Sequence, residues 1–293
     1  MQLNILGPGF FAEVCGVGLV DVATRADVYS EVRAAFEEHS VLLFRRQPIT
    51  DELQIAYSAR FGPLELGKVA SLGEGKFTAI LTNMDGNGGV VPPDHKEALR
   101  ARANQLWHTD SSFKETPALA SVLSARRLPP SGGETEFTST RRAWERLPES
   151  VRARLAESYA WHNYAHSRNK IAPHLASERE RSAMPPVCWR MRWRNPVNGR
   201  AALYVASHTY AIEGMPAEAA QTLIAQLIDA ATRPEHTYLH RWLPGDVVMW
   251  DNRAVLHRGR PWPEGMPRHM VRTTIAATDA DGLAELRPVK AAA

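Results

Sequence analysis

The sequence predicts a mainly β fold with inserted helices, of the α+β class, built on a barrel or jelly roll. Three observations predict it. Short strand-like runs recur from residue 105 onward, Gly- and Pro-containing turns separate them, and only two helical patterns interrupt them. One domain accounts for all 293 residues, because single β-barrels and sandwiches reach roughly 200–250 residues.

Residues 10–20 read as one or two short strands. Residues 24–39 read as a helix, with Val28, Val32 and Phe36 four apart. "SVLLF" (40–44) is a buried strand. Residues 48–62 form a second helix, opened by the capping residue Thr50 and closed at Gly62. Together, 1–62 make an α/β N-terminal part. Residues 63–104 hold "GEGK", "DGNGG" and "VPPDHKE". They read as a loop-rich insertion, and long loops of this kind are commonly lids or binding loops. The core spans 105–280, with strands at 120–125, 133–139, 201–207, 246–250 and 271–277. Helices are predicted at 140–157 and at 216–233, with Pro216 in the first turn. The last residues, 281–293, read as a flexible tail.

Composition narrows the function. The chain is 44% hydrophobic and 23% charged, as in a globular protein. Its net charge of +3 is spread without a dense basic stripe, so no nucleic-acid partner is expected and a small anionic substrate is. Cys15 and Cys188 cannot build a disulfide framework and read as buried, reduced thiols. The start "MQLNILGPGF" lacks the pattern of a secretory leader, and no run approaches the ~20 apolar residues of a membrane span. A cytoplasmic location, without a membrane partner, is the expectation.

The chemistry concentrates in "QLWHTDSSF" (105–113). On an extended segment His108 and Asp110, two apart, face the same way. His257 follows the strand 246–250. Two histidines and a carboxylate form the facial triad that holds Fe(II) and leaves positions open. Zinc accepts the same three side chains, so a zinc hydrolase stays open at this point, as does a non-catalytic metal-binding jelly-roll module. His162 and His166 in "HNYAH" lack the glutamate of a zinc-protease motif and read as a helix or turn face.

Five stretches, in order, carry a resemblance: "ANQLWHTDSSF" (103–113), "LPPSGGETEF" (128–137), "AMPPV" (183–187), "HRWLPGDVVMWDNRAVLHRGR" (240–260) and "RHMVRTT" (268–274). The chain resembles the taurine / 2,4-dichlorophenoxyacetate branch of the Fe(II)/2-oxoglutarate-dependent dioxygenases, and most of all the aryloxyalkanoate dioxygenases. The resemblance implies a double-stranded β-helix (jelly-roll) core, with Fe(II) held by His108, Asp110 and His257. It implies that Arg268 and Thr135 hold the far carboxylate of the cosubstrate 2-oxoglutarate. Arg272 would sit near the iron-bound carboxylate and the anionic head of the substrate. The charge and planar fork of a guanidinium suit these tasks. Trp250 reads as a core aromatic bordering the cosubstrate, and Trp107 as core. Asn104 and Lys68 are candidate substrate contacts.

The resemblance further implies an O2-dependent reaction, with ascorbate as a stimulant, that converts 2-oxoglutarate to succinate and CO2 and hydroxylates the substrate. An aryloxyacetate hydroxylated beside its ether oxygen collapses to a phenol and glyoxylate. Taurine, other sulfonates and alkyl sulfates are the alternative substrates. A homo-oligomer is expected.

Overall fold

The computed structural model describes residues 1–288. Its strands, in chain order, are Gln2–Leu6 (β1), Phe11–Cys15 (β2), Val41–Phe44 (β3), Thr78–Thr82 (β4), Ala118–Arg127 (β5), Thr135–Ser139 (β6), Tyr159–His162 (β7), Val187–Arg190 (β8), Arg192–Arg194 (β9), Ala201–Leu203 (β10), Thr209–Ile212 (β11), Thr237–His240 (β12), Val247–Asp251 (β13), Val255–Gly259 (β14) and His269–Ala276 (β15). Seven form one sheet in the order β1-β2-β3-β13-β5-β15-β4, antiparallel except for β2 beside β3. Three form a second sheet, β12-β6-β14. Smaller sheets β11-β7-β8 and β10-β9 carry the rest.

The side-chain period of a strand explains the layering. In β3, Val41 and Leu43 join Val248 and Trp250 of β13 on one face, where Phe137 of β6 and Val255 of β14 meet them. Leu42 and Phe44 join Val247 and Met249 on the other face, against Val28, Val32 and Phe36 of the helix Ala26–His39. The large sheet is thus covered by helices on one side and by the small sheet on the other. A strand buried on both faces has no polar side to show, which is why "VLLF" is continuously apolar. The site lies between the two sheets.

Several expectations are corrected in detail. The helix predicted at 24–39 is observed as Ala26–His39, and a further short helix, Leu19–Thr24, precedes it across the extended Arg25. The helix predicted at 140–157 is two, Thr140–Arg146 and Glu149–Ala156. The break falls at Leu147, because a residue before proline is driven out of the helical region. Pro216 caps the helix Ala217–Ala231 from outside its first turn. Thr50 does cap its helix, accepting from the amide of Leu53. The insertion 63–104 is less loop-like than its composition: it contains β4, paired to β15, and the helix Lys96–Ala103. The strand run 201–207 is hydrogen-bonded only as far as Leu203. Of the tail, residues up to 288 are ordered, with Leu283 and Leu286 buried in the helix-side core; 289–293 lie outside the described residues. Cys15 and Cys188 are free thiols but half-buried. Trp107 is half-buried, with the Arg258 guanidinium 4.6 Å from its ring, and so is not core. No helix among the described residues is long and apolar enough to cross a membrane.

Candidate metal centre

His108 and Asp110 do not share a strand. His108 makes a single antiparallel bridge with His257: its amide donates to the His257 carbonyl at 3.0 Å, and its carbonyl accepts from the His257 amide at 2.8 Å. Directly opposed residues bring their side chains together, and the two imidazole rings are 4.2 Å apart. Asp110 lies in the turn that follows. Ser111, next in the chain, adopts φ 55°, a left-handed conformation that a non-glycine residue holds only when its surroundings impose it. Its hydroxyl donates to Glu65 at 2.8 Å. The turn delivers the carboxylate to the imidazoles: His108 Nε2 is 4.0 Å from Asp110 Oδ1, and His257 Nε2 is 3.7 Å from Oδ2.

One donor atom from each residue lies within 4.8 Å of the other two, and all three residues are buried. The donor chemistry fits a divalent ion. His108 Nδ1 is 2.7 Å from the Leu106 carbonyl, a bond that requires the proton on Nδ1 and leaves the Nε2 lone pair for a ligand. Burial would raise the Asp110 pKa, but Arg272 foremost, then the two imidazoles and the Ser121 hydroxyl, hold it well below the usual carboxylate range. Burial, then the neighbouring His108, pushes His257 well down. Burial also lowers His108, against the pull of Asp110. Two neutral imidazoles and an ionised carboxylate are the forms that bind a metal.

The supporting residues were not legible in the motif. Asn252 takes three donors on Oδ1: the Asp110 amide (3.1 Å), the Thr109 hydroxyl (3.2 Å) and the Trp250 indole (3.0 Å). Its amide nitrogen donates to Ser121 Oγ at 3.0 Å, and Ser121 donates to Asp110 Oδ2 at 2.7 Å. Both side chains are buried. The turn that carries Asn252 is fixed in turn by Arg253, which bonds Asp251 at 2.9 Å and Glu37 at 2.7 Å. The only signal in the sequence was the polar run "DNR" directly after an apolar strand. Asn252→Ala is expected to raise the dissociation constant for Mn(II) by roughly 10- to 100-fold, the usual cost of an outer-shell partner, as read by titration of the metal-free protein.

The remaining predicted residues line one cavity with the triad: Thr135, Arg268, Arg272, Trp250, Asn104 and Lys68 all border it. Arg268 immediately precedes β15 and Arg272 lies within it. Arg272 donates to Asp110. Arg268 is 8% exposed, and its only side-chain hydrogen bond among the described residues goes to the Gly133 carbonyl at 3.2 Å. Gly133 has φ +71°, and a Cβ there would meet Arg268 Nε at 3.0 Å, so the glycine lets the guanidinium lie across the turn. Asn83, just after β4, accepts from the Arg268 amide at 2.8 Å. Burial without an anionic partner pushes the Arg268 pKa down to about 10. The Thr135 hydroxyl accepts from the Trp242 indole at 3.0 Å; since indole only donates, the Thr135 proton is left for another acceptor. Trp250 belongs both to the core and to the cavity wall, its ring 4.5 Å from His257. Asn104 caps the end of the helix Lys96–Ala103, and its carbonyl accepts from the Gly259 amide at 2.9 Å. Lys68 is half-buried and donates to the Tyr164 hydroxyl. His162 and His166 fall on β7 and on the helix Tyr164–Asn169 and join no metal-binding group among the described residues.

The chain is similar to known proteins over most of its length. The family profile described as "Taurine catabolism dioxygenase TauD, TfdA family" matches residues 4–274. The alpha-ketoglutarate-dependent 2,4-dichlorophenoxyacetate dioxygenase of Cupriavidus pinatubonensis is 39% identical over 276 residues, covering 92% of this chain and 96% of that protein. The (S)-phenoxypropionate/alpha-ketoglutarate-dioxygenase of Sphingobium herbicidovorans is 34% identical over 279 residues, covering 92% and 93%. Among solved structures, AAD-2 in complex with Mn(II) and N-oxalylglycine superposes with a TM-score of 0.87 at 34% identity, covering 94% of this chain and 98% of that one. The mixed α/β architecture, the extent of the match and these identities establish that the chain belongs to the TauD/TfdA family of dioxygenases.

Proposed function

We propose that this enzyme is an Fe(II)- and 2-oxoglutarate-dependent dioxygenase that hydroxylates an aryloxyalkanoate, such as 2,4-dichlorophenoxyacetate, at the carbon between its ether oxygen and its carboxylate. The products are a phenol, a 2-oxo acid (glyoxylate from an aryloxyacetate), succinate and CO2. The two facing sheets are read as a double-stranded β-helix. The observation that carries the proposal is the pairing, in one cavity, of a His/Asp/His centre with a buried arginine that lacks any carboxylate partner among the described residues.

His108, Asp110 and His257 would hold the iron, which when bound supplies the activation of O2 and the oxidation of a C–H bond. Arg268 and Thr135 receive the far carboxylate of 2-oxoglutarate: the guanidinium offers two parallel donors, and the hydroxyl offers the proton that Trp242 leaves free. Arg272 keeps Asp110 ionised and stands beside the reacting end of the bound acids. The insertion 63–104 walls the cavity from the solvent side, with Asn104 and Lys68 facing in, and excludes water from the oxidation.

Release of succinate tests the reading, measured over a panel of aryloxyacetates, aryloxypropionates, sulfonates and alkyl sulfates. The expected result is phenol and succinate formation with an aryloxyalkanoate, dependent on Fe(II), 2-oxoglutarate and O2. Turnover that persisted without O2 and keto acid would mark a hydrolase. Turnover confined to sulfonates or sulfates would keep the chemistry and replace the substrate.

A further inference from the structure

One hydroxyl in the cavity wall is itself held from behind. Thr135 opens β6, and strand pairing sets it opposite His240 of β12 on one side and Gly259 of β14 on the other. Trp242 follows β12 by two residues. Its indole nitrogen donates to the Thr135 hydroxyl, 107 positions away in the chain, at 3.0 Å. Thr135 borders the cavity. Trp242 is 9% exposed and packs with Phe137 and Trp250 in the core between the sheets. The indole therefore acts on the cavity through the hydroxyl.

The indole has little freedom to move. The His240 ring stands 4.6 Å from it at 83°. The buried Asp246 carboxylate grips both flanks of Trp242: its Oδ2 accepts from the Leu243 amide at 2.9 Å and lies 3.2 Å from His240 Nε2. Arg45 pairs with the same oxygen at 2.7 Å. An indole only donates, and a hydroxyl has one proton and two lone pairs. With the indole on one lone pair, the Thr135 proton points away from Trp242, and no acceptor among the described residues takes it. Arg268 donates to the Gly133 carbonyl, two residues before Thr135, at 3.2 Å. Guanidinium and hydroxyl thus converge on one end of the cavity.

We propose that Trp242 is a positioning residue for the cosubstrate: it makes the Thr135 hydroxyl a one-way donor toward the far carboxylate of 2-oxoglutarate. The inference rests on the dioxygenase reading above. Without the indole the hydroxyl rotates, and some of its rotamers turn a lone pair toward the anion. A donor aimed before the ligand arrives gives up no rotational freedom on binding. A hydroxyl that already accepts one hydrogen bond also donates a stronger one.

The test is a double-mutant cycle on the Mn(II)-loaded protein, with 2-oxoglutarate binding read by calorimetry. Trp242→Phe keeps an aromatic ring and removes the donor. It is expected to weaken 2-oxoglutarate roughly 3- to 10-fold, the scale of one hydrogen bond, with Mn(II) affinity within about twofold of wild type. Thr135→Val removes the hydroxyl and should weaken 2-oxoglutarate at least as much. In the Thr135→Val background, Trp242→Phe should change the dissociation constant by less than about twofold, because no hydroxyl is left to orient. A tryptophan that only fills the core would give the same loss in both backgrounds, and that result overturns the proposal. So does an unchanged dissociation constant in the single Trp242→Phe variant. Either outcome leaves the reaction assignment standing. If Trp242→Phe does not fold, replacement of Trp242 by its benzothiophene analogue takes its place in the cycle with the same expectations, since that side chain keeps both fused rings and exchanges the N–H for sulfur. Failure of the Mn(II)-loaded wild type to bind 2-oxoglutarate overturns the dioxygenase reading and the positioning role with it.

Discussion

Asp110→Ala removes metal binding and with it all succinate release. The loss is expected to exceed the ~10- to 100-fold cost of an outer-shell partner such as Asn252, because the only anionic donor of the triad is gone and two neutral imidazoles remain. Mn(II) titration should show no saturable site at concentrations that fill the wild type. The same change strands Arg272, whose carboxylate partner is Asp110, and the Ser121 hydroxyl, whose acceptor is Asp110 Oδ2. Asp110→Asn separates the two effects. It keeps the size of the side chain and an acceptor for Ser121, so the fold should survive by circular dichroism while the metal site is lost. A variant at 110 that still released succinate at the wild-type rate would refute the centre.

Arg268→Ala raises the KM for 2-oxoglutarate by about 10²-fold or more, since a charge-assisted bond is worth roughly 1.5–3 kcal/mol and a bidentate pair makes two. Mn(II) affinity should stay within about twofold, because Arg268 touches none of the three ligands. The pH dependence has a definite sign. Burial lowers the Arg268 pKa to about 10, so the side chain is cationic at neutral pH. Affinity for the cosubstrate dianion should be flat there and should fall as pH rises toward about 10, where the guanidinium begins to lose its proton. A KM for 2-oxoglutarate that Arg268→Ala left unchanged would remove the residue from the clamp.

What could be read in the residues and what could not divide along physical lines. His108, Asp110, His257, Arg268 and Arg272 are chemically unusual in an apolar setting, and their types at their spacing carry the resemblance. The layered core was legible because "VLLF" and "DVVMW" leave no polar face. Asn252, Ser121, Trp242 and Asn83 were not legible as site residues. Each acts on a neighbour 11 to 185 positions away, and only the pairing of strands brings it there. The geometry of the triad was half legible. The same-face pairing of 108 and 110 was argued from an extended strand, whereas a cross-strand bridge and a left-handed Ser111 achieve it. β4 was hidden for a related reason: it is a short, half-buried edge strand among glycines and prolines, and its pairing lies almost two hundred residues ahead in the chain.

That edge strand also governs how the enzyme could be re-engineered. With Thr78–Thr82 bonded along β15 from Thr273 to His269, the insertion is riveted to the sheet at its middle, and the segments on either side pair with no strand of that sheet over 66–77 and 84–95. Grafts from relatives with other substrate ranges should therefore exchange residues 66–77 or 84–95 as separate cassettes. A transplant of 63–104 as one block would discard the strand that keeps Arg268 in register.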